Sequence, residues 1–482
     1  VLENLLPKIQ LLWQLDRLKK YINIRYIMQS KLIFYIVLMG SLLFAHQACS
    51  YPHDPVQKGK QLYLPAQIYR VPENNDYNNK ESEFSHFRKV ESDNIAIFWA
   101  KEYGERPQEH ALASKRFDPE AILQECERFY GHYLDVTKMV QRGNSLSDQY
   151  KLLFFVIGGD EGTAFGGGAA DSVGVMWASS LRLQYKPFGA VAHEMGHCFQ
   201  YLAKCDGNWA FSSPVEGSQG HSIFEMTAQY LLWQVYPEWM TFENYHLKSY
   251  MDKTHYAFLH ETNMYHAAQV LEYWSSKRGT DFMGRLWREA VPGEDPVRAY
   301  KRLTHTDQKV FNDEIFDASR KFITWDLPRI AQVAKPYANQ HITKLVAADD
   351  GWVQIATSHA PQNYGYNGIK LTSFLPGKPV ELDFKGIAGA AGYRAINVQN
   401  AGWRYGFVAH QADGTRIYGD VLSAKIGKST FTVPENTTNL WLVVTGAPEE
   451  HTVHIVDGKD ENDEQWPYAI KLKGAAVDAK ML

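Results

Sequence analysis

A chain of 482 residues spans two to four folding units at roughly 100–200 residues each, which excludes a single small module. Its composition, 45% hydrophobic and 22% charged, is that of a globular protein able to bury cores, and it excludes a disordered or collagen-like chain. Lys and Arg total 50 against 54 Asp and Glu, a formal charge of −4, and so balanced a charge indicates no nucleic-acid partner and no anionic membrane surface. The 13% aromatic content stands out, since such side chains fill cores or line ligand grooves.

At the amino terminus a polar lead is followed by Met28-Gln-Ser-Lys31 and an apolar run from Leu32 to Ala45. That run is too short to cross a membrane and suits the core of a signal peptide. Residues 1–48 are therefore expected to be an upstream extension plus signal peptide, with translation starting at Met28 and the product exported. Ala48-Cys49 leaves two outcomes open: ordinary secretion, or membrane attachment through a lipidated Cys49. Cys126, Cys198 and Cys205 then allow one disulfide at most. On one helix, Cys198 and Cys205 stand roughly 10 Å apart and cannot bridge; a bridge from Cys126 to either stays open.

In chain order, Asn94–Trp99 reads as a buried strand. Asp118-Pro119-Glu120 opens a helix, with Asp118 as cap and Pro119 in the first turn. Its apolar positions Ile122, Cys126, Phe129 and Tyr133 recur at three and four residues. Lys151–Ile157 reads as a second buried strand. The glycine-rich stretch Gly158–Gly174 reads as a flexible loop, leading into Val175–Leu183 as an edge strand. A helix from Phe188 to about Lys204 ends at Gly207. Further helices are expected at Ile223–Tyr236, Thr262–Ser276, Phe282–Glu289 and Phe311–Trp325.

Beyond about Gln340 the pattern changes. Short β-rich runs at 351–358, 364–374, 379–385, 394–399, 403–411, 415–422, 429–433, 440–445 and 451–457, divided by turns such as Asp413-Gly414, predict a β-sandwich. The expected organisation is an α+β domain over 51–335 and an all-β sandwich domain over 341–475.

The chemistry concentrates in His193-Glu194-Met195-Gly196-His197. Histidines four apart on a helix are rotated by only about 40°, so both imidazoles reach one metal ion. Glu194 lies about 100° further round the helix, where it can take a proton from water at the metal without occupying a ligand position. Zinc hydrolysis requires that division: neutral nitrogens to hold Zn²⁺ and a separate carboxylate as base. Met195, Phe199 and Leu202 give the helix a core face. For a third protein ligand Glu225 sits inside an apolar helical stretch, with 27 residues between it and His197. Ser222 and Glu225 also fit a capping box, in which the glutamate only satisfies a helix start; His221, Glu216 and Asp206 are the other candidates. An astacin-like site is excluded, because Gln200 and Ala203 replace the glycine and histidine it needs.

The eight residues from His193 to Gln200, with a later helical Glu225, resemble the glutamate-zincin metallopeptidases. The glycine at 196 and trailing Gln200 are similar to the enhancin-like, mucin-directed branch. The layout, ending in Asp463-Glu-Gln-Trp-Pro-Tyr468, also resembles a family of uncharacterised secreted proteins of Bacteroidetes-type bacteria. This resemblance implies a zincin-like catalytic domain with a β-sandwich tail, His193, His197 and Glu225 as zinc ligands, and Glu194 as general base. It implies an exported metallopeptidase acting on polypeptide or glycoprotein, and the alternatives are a non-catalytic glycan- or protein-binding lipoprotein and a zinc amidase. An extended peptide is expected to pair with the edge strand, with Gly166-Gly-Gly168 as a mobile rim. His255, Tyr256, His260, Tyr265 and His266 are candidates for stabilising the oxyanion. In the tail, Trp352, Tyr364, Tyr366, Trp403, Tyr405 and Trp441 either stack on glycans or fill the sandwich core.

Overall fold

Ile95–Trp99 (β2) and Leu152–Ile157 (β3) carry no polar face, and in the computed structural model they form parallel neighbours buried on both sides. The structure describes residues 59–482 except 209–210 and 212–214, so the signal peptide and Cys49 lie outside the described residues. Lys89–Glu91 (β1), Ala164–Ala169 (β4) and Val173–Ser179 (β5) complete a sheet of order β1-β2-β3-β5-β4.

Two expectations are corrected here. Val175–Leu183 is not an edge strand, because β5 lies between β3, parallel to it, and β4, antiparallel to it. The edge is β4, so Gly166-Gly-Gly168 is a strand and not a mobile rim. The glycines are there because β4 lies directly on a helix: a Cβ on Gly166 would come within 2.1 Å of the Glu194 carbonyl oxygen, and one on Gly168 within 2.0 Å of the Tyr201 ring.

Pro119–Gly131 (α1) is capped as expected, Asp118 accepting from the backbone N–H of Glu120 and Ala121. Gly189–Cys205 (α2) and Ile223–Val235 (α3) follow. Tyr245–Asp252 (α4), Ala268–Arg278 (α5), Phe282–Glu289 (α6), Pro296–Thr304 (α7) and Gln308–Phe322 (α8) complete the longer helices. The helix expected from Thr262 begins only at Ala268, because His260 Nδ1 accepts from Thr262 N (2.9 Å) and caps a separate short turn, Glu261–Asn263. Sequence reasoning also missed α4 and α7, although Asp295-Pro296 is a cap followed by a first-turn proline.

Glu125 locks α1 to the end of α3: Tyr236 Oη donates to it at 2.6 Å, and Arg128 and Lys186 pair with it at 2.7 and 3.0 Å. Burial disfavours its charge, yet these three partners hold it at about 2. A depressed carboxylate stabilises the fold above its unfolded pKa, and the contribution disappears as pH falls through the folded value. Glu125→Gln is expected to lower stability at pH 7 by on the order of 2 kcal/mol. In urea titrations at stepped pH, that difference should shrink between about pH 4.5 and 2.

The C-terminal part is mostly β. Leu345–Ala347 (β6), Val353–Ile355 (β7), Tyr366–Thr372 (β8), Pro379–Gly386 (β9), Trp403–Gln411 (β10), Arg416–Tyr418 (β11), Ile426–Thr432 (β12), Thr437–Gly446 (β13), Tyr468–Lys473 (β14) and Ala476–Val477 (β15) form two antiparallel sheets. Their orders are β11-β10-β13-β8-β15 and β12-β9-β14-β7-β6. The sheets meet through aromatics, with Phe384 stacked on Tyr405 at 3.9 Å and Phe407 on Phe431 at 5.0 Å. Helix α8 covers the opposite face of the first sheet, where Phe316 approaches Gly406 and Arg320 donates to Gly419 O.

That double cover decides the fate of the tail aromatics. Tyr364, Tyr366, Trp403, Tyr405 and Trp441 are all buried, so they are core and no glycan can stack on them. Trp352 alone is half-exposed, with Lys385 Nζ 4.1 Å above its ring. The runs at 394–399 and 451–457 are not strands. Arg394 is pinned by Gln465 and by the carbonyl of Asp463, and the 451–457 segment bonds to the helical part instead of to a neighbouring strand. Cys126, Cys198 and Cys205 are free thiols. Among the described residues no helix is long and apolar enough to cross a membrane.

Candidate metal centre

Helix α2 presents Met195, Phe199 and Leu202 to the core and leaves His193, Glu194 and His197 half-buried. Helix α3 crosses it closely because position 196 is glycine: a Cβ there would stand 3.2 Å from Ala228 Cα and from Leu231 Cδ1. Glu225 lies one turn before Ala228, so this close approach brings its carboxylate onto the two imidazoles. His193 Nε2 and His197 Nε2 are 3.2 Å apart, and Glu225 Oε2 is 3.1 Å from the first and 3.3 Å from the second. Ligand atoms held tetrahedrally at about 2.0–2.1 Å from zinc stand about 3.3 Å from one another, so the three atoms have the spacing of one face of a zinc tetrahedron.

Two glutamines set the imidazole tautomers. Gln200 Nε2 donates to Phe224 O at 2.8 Å, which turns its Oε1 to His197 Nδ1 at 2.9 Å. Gln229 repeats the arrangement, its Nε2 towards Tyr265 O at 3.5 Å and its Oε1 3.2 Å from His193 Nδ1. Both Nδ1 atoms therefore donate, which leaves Nε2 of each ring as the atom turned to Glu225 and the one that a cation would meet in place of a proton. The sequence marked Gln200 only through resemblance and gave no signal for Gln229.

Burial disfavours charge on this cluster, yet the hydrogen bond and charge of Glu225 hold His197 at about 9. The two imidazoles in turn hold Glu225 well below the usual carboxylate range. Burial pushes the Glu194 carboxyl up, with the two histidines opposing the shift. A base shifted towards neutrality takes a proton from water more readily.

The capping-box alternative does not describe Glu225: Ser222 makes no side-chain cap, and its Oγ donates to Leu259 O at 2.6 Å. Asp206 accepts from Leu146 N, Glu216 is exposed, and His221 packs against the Phe211 ring. Of the five oxyanion candidates, Tyr265 lies at the site, its ring 6.3 Å from that of His193 and nearly parallel to it. His266 bonds His246. His255, Tyr256 and His260 face the tail, where Tyr256 donates to Asp460 and His260 pairs with Asp463.

Among the described residues, His260 also comes within ligand reach of Glu261 with His454 and of Asp460 with Asp463. There the tautomer is reversed. Thr262 N donates to His260 Nδ1, so Nε2 carries the proton and donates it to Asp463 Oδ2 at 3.0 Å. His260 therefore has no imidazole lone pair to offer a cation there.

The chain belongs to the family of unknown function DUF6055, whose model matches residues 55–479. No curated protein matches it. Among solved structures, the C-terminal family 22 carbohydrate-binding module of Clostridium thermocellum Xyn10B is 14% identical, over 29% of this chain and 83% of that one, with a TM-score of 0.18. The CBM22-1 xylan-binding domain from Paenibacillus barcinonensis Xyn10C is 13% identical over 28% and 80%, at 0.17. The M60 catalytic domain with the CBM51-1 and CBM51-2 domains from Clostridium perfringens ZmpB is 10% identical over 82% and 60%, at 0.29.

Proposed function

We propose that this protein is an exported zinc-dependent hydrolase, a zincin-type peptidase acting on polypeptide or glycoprotein. The observation that carries the proposal is the triangle of His193 Nε2, His197 Nε2 and Glu225 Oε2, each side 3.1–3.3 Å. These three residues would hold zinc, with Gln200 and Gln229 keeping the imidazoles turned towards it. Zinc held there supplies Lewis acidity, polarising a carbonyl and acidifying water.

The chain's own groups do the rest. Glu194 takes the proton from the attacking water and passes it to the departing amine nitrogen. Tyr265, alongside His193, donates to the oxygen on which negative charge develops. One face of β4 lies against the helix that carries Glu194, and its edge away from β5 pairs with no described strand; an extended peptide would bond to that edge through its backbone. Catalysis is assigned to 51–335, with 341–475 as its β-sandwich partner. A glycan-binding role for the tail has Trp352 alone of the six aromatics to rest on. Export rests on the Leu32–Ala45 run.

The test is digestion of a panel of unfolded proteins and glycoproteins, with products identified by mass spectrometry. New amino termini are expected with the zinc-loaded protein, should vanish on chelation and should return with zinc. Release of non-peptide fragments with every peptide bond intact would contradict the peptidase assignment.

A further inference from the structure

We infer that the loop between β13 and β14, residues 447–467, is a positioning element of the metal centre, so that the tail holds Glu225 in place; this rests on the zinc reading proposed above. The loop leaves the β-sheets and runs along the helical part. Its first anchor is direct. Val456 N donates to Ser218 Oγ at 3.1 Å, and Gln219 N donates to Val456 O at 2.8 Å. The loop therefore grips the segment that leads into α3, a few residues before Glu225.

The second anchor acts through one intermediate segment. Ser222, at the start of α3, donates its Oγ to Leu259 O at 2.6 Å. Two residues on, Glu261 is held by the loop at both carboxylate oxygens: Gly458 N donates to Oε1 at 2.8 Å, and His454 Nε2 lies 3.1 Å from Oε2. His260 between them is fully buried and fixed by Asp463 of the same loop. His451 adds a third tie, 2.7 Å from the Asp295 carboxylate that caps α7. An α3 start tied at Ser218, Gln219 and Ser222 leaves Glu225 little freedom to leave the imidazoles. A ligand set within about 0.5 Å of its binding geometry gains affinity from such support.

The experiment is zinc affinity of the full chain by competition with a chromogenic chelator, for wild type and for the double variant Ser218→Ala, Glu261→Ala. The double variant should bind zinc about tenfold or more weakly, the usual cost of losing outer support. Glu261→Gln, which keeps an acceptor for Gly458 N, should stay within about threefold of wild type. Phe431→Ala, which unstacks Phe407 between the two sheets of the tail, should lower thermal stability and leave zinc affinity unchanged, separating positioning from general destabilisation. If the double variant does not fold, Ser218→Ala alone is measured, with a loss of about threefold expected. A folded double variant, or failing that Ser218→Ala, that binds zinc as tightly as wild type overturns the inference and leaves the metal centre standing. A wild-type chain that takes no zinc overturns both.

Discussion

Glu194→Gln is expected to keep its zinc and to lose turnover by about a hundredfold to ten-thousandfold, the range a positioned general base contributes. The substitution preserves shape, and Glu194 is not one of the three atoms in the His193, His197 and Glu225 triangle, so metal content should match wild type. Only the capacity to accept a proton is removed. The measurement is initial rate on any substrate that wild type cleaves, alongside zinc content of the same preparation. Wild-type turnover in the variant would assign the base elsewhere. Loss of zinc together with activity would place Glu194 among the ligands.

Glu225→Gln is the second large effect. In the metal-free protein the Glu225 carboxylate is the negative charge between two imidazoles, held ionised by them. A carboxamide at that position keeps the volume and loses the charge and most of the affinity for a dication. The loss should exceed the roughly 10–100-fold that follows removal of a hydrogen-bond partner outside the ligand set, and Gln200→Ala gives that smaller effect as an internal reference. Equal losses from Glu225→Gln and Gln200→Ala would mean that Glu225 only supports the histidines. The contrast is sharp because both side chains touch an imidazole, one at Nε2 and the other at Nδ1.

Much of the architecture was legible wherever a residue pattern reports on its own backbone. Ile95–Trp99 and Leu152–Ile157 are apolar on both faces and are central strands; Asp118-Pro119 starts a helix because the cap and the proline act locally. The histidine pair was legible because helical spacing alone puts both rings on one side. What could not be read depends on partners distant in sequence. Gly166-Gly-Gly168 looks like a loop because it has no side-chain periodicity, yet it is an edge strand whose side-chain space is taken by the Glu194 carbonyl and the Tyr201 ring. Glu225 was one of several candidates until the close packing at Gly196 and Ala228 singled out its carboxylate. Alternation in His451–Asp457 looks like a strand, but its histidines bond Asp295 and Glu261 across the molecule. The tail aromatics are ambiguous for the same reason, since it takes Tyr250 and Phe322 of the helical part over Tyr366, and Asn339 and His341 over Trp441, to make them core on that side.

The central claim is that one zinc ion binds at the triangle. X-ray absorption at the zinc edge, on the full chain dialysed against zinc and freed of excess, tests it most directly. One equivalent of zinc per chain is expected, with two imidazole nitrogens and one carboxylate oxygen at about 2.0–2.2 Å, and that signature should be lost in His197→Ala. A chain that retains no zinc, or retains it with an unchanged spectrum in His197→Ala, would contradict the claim.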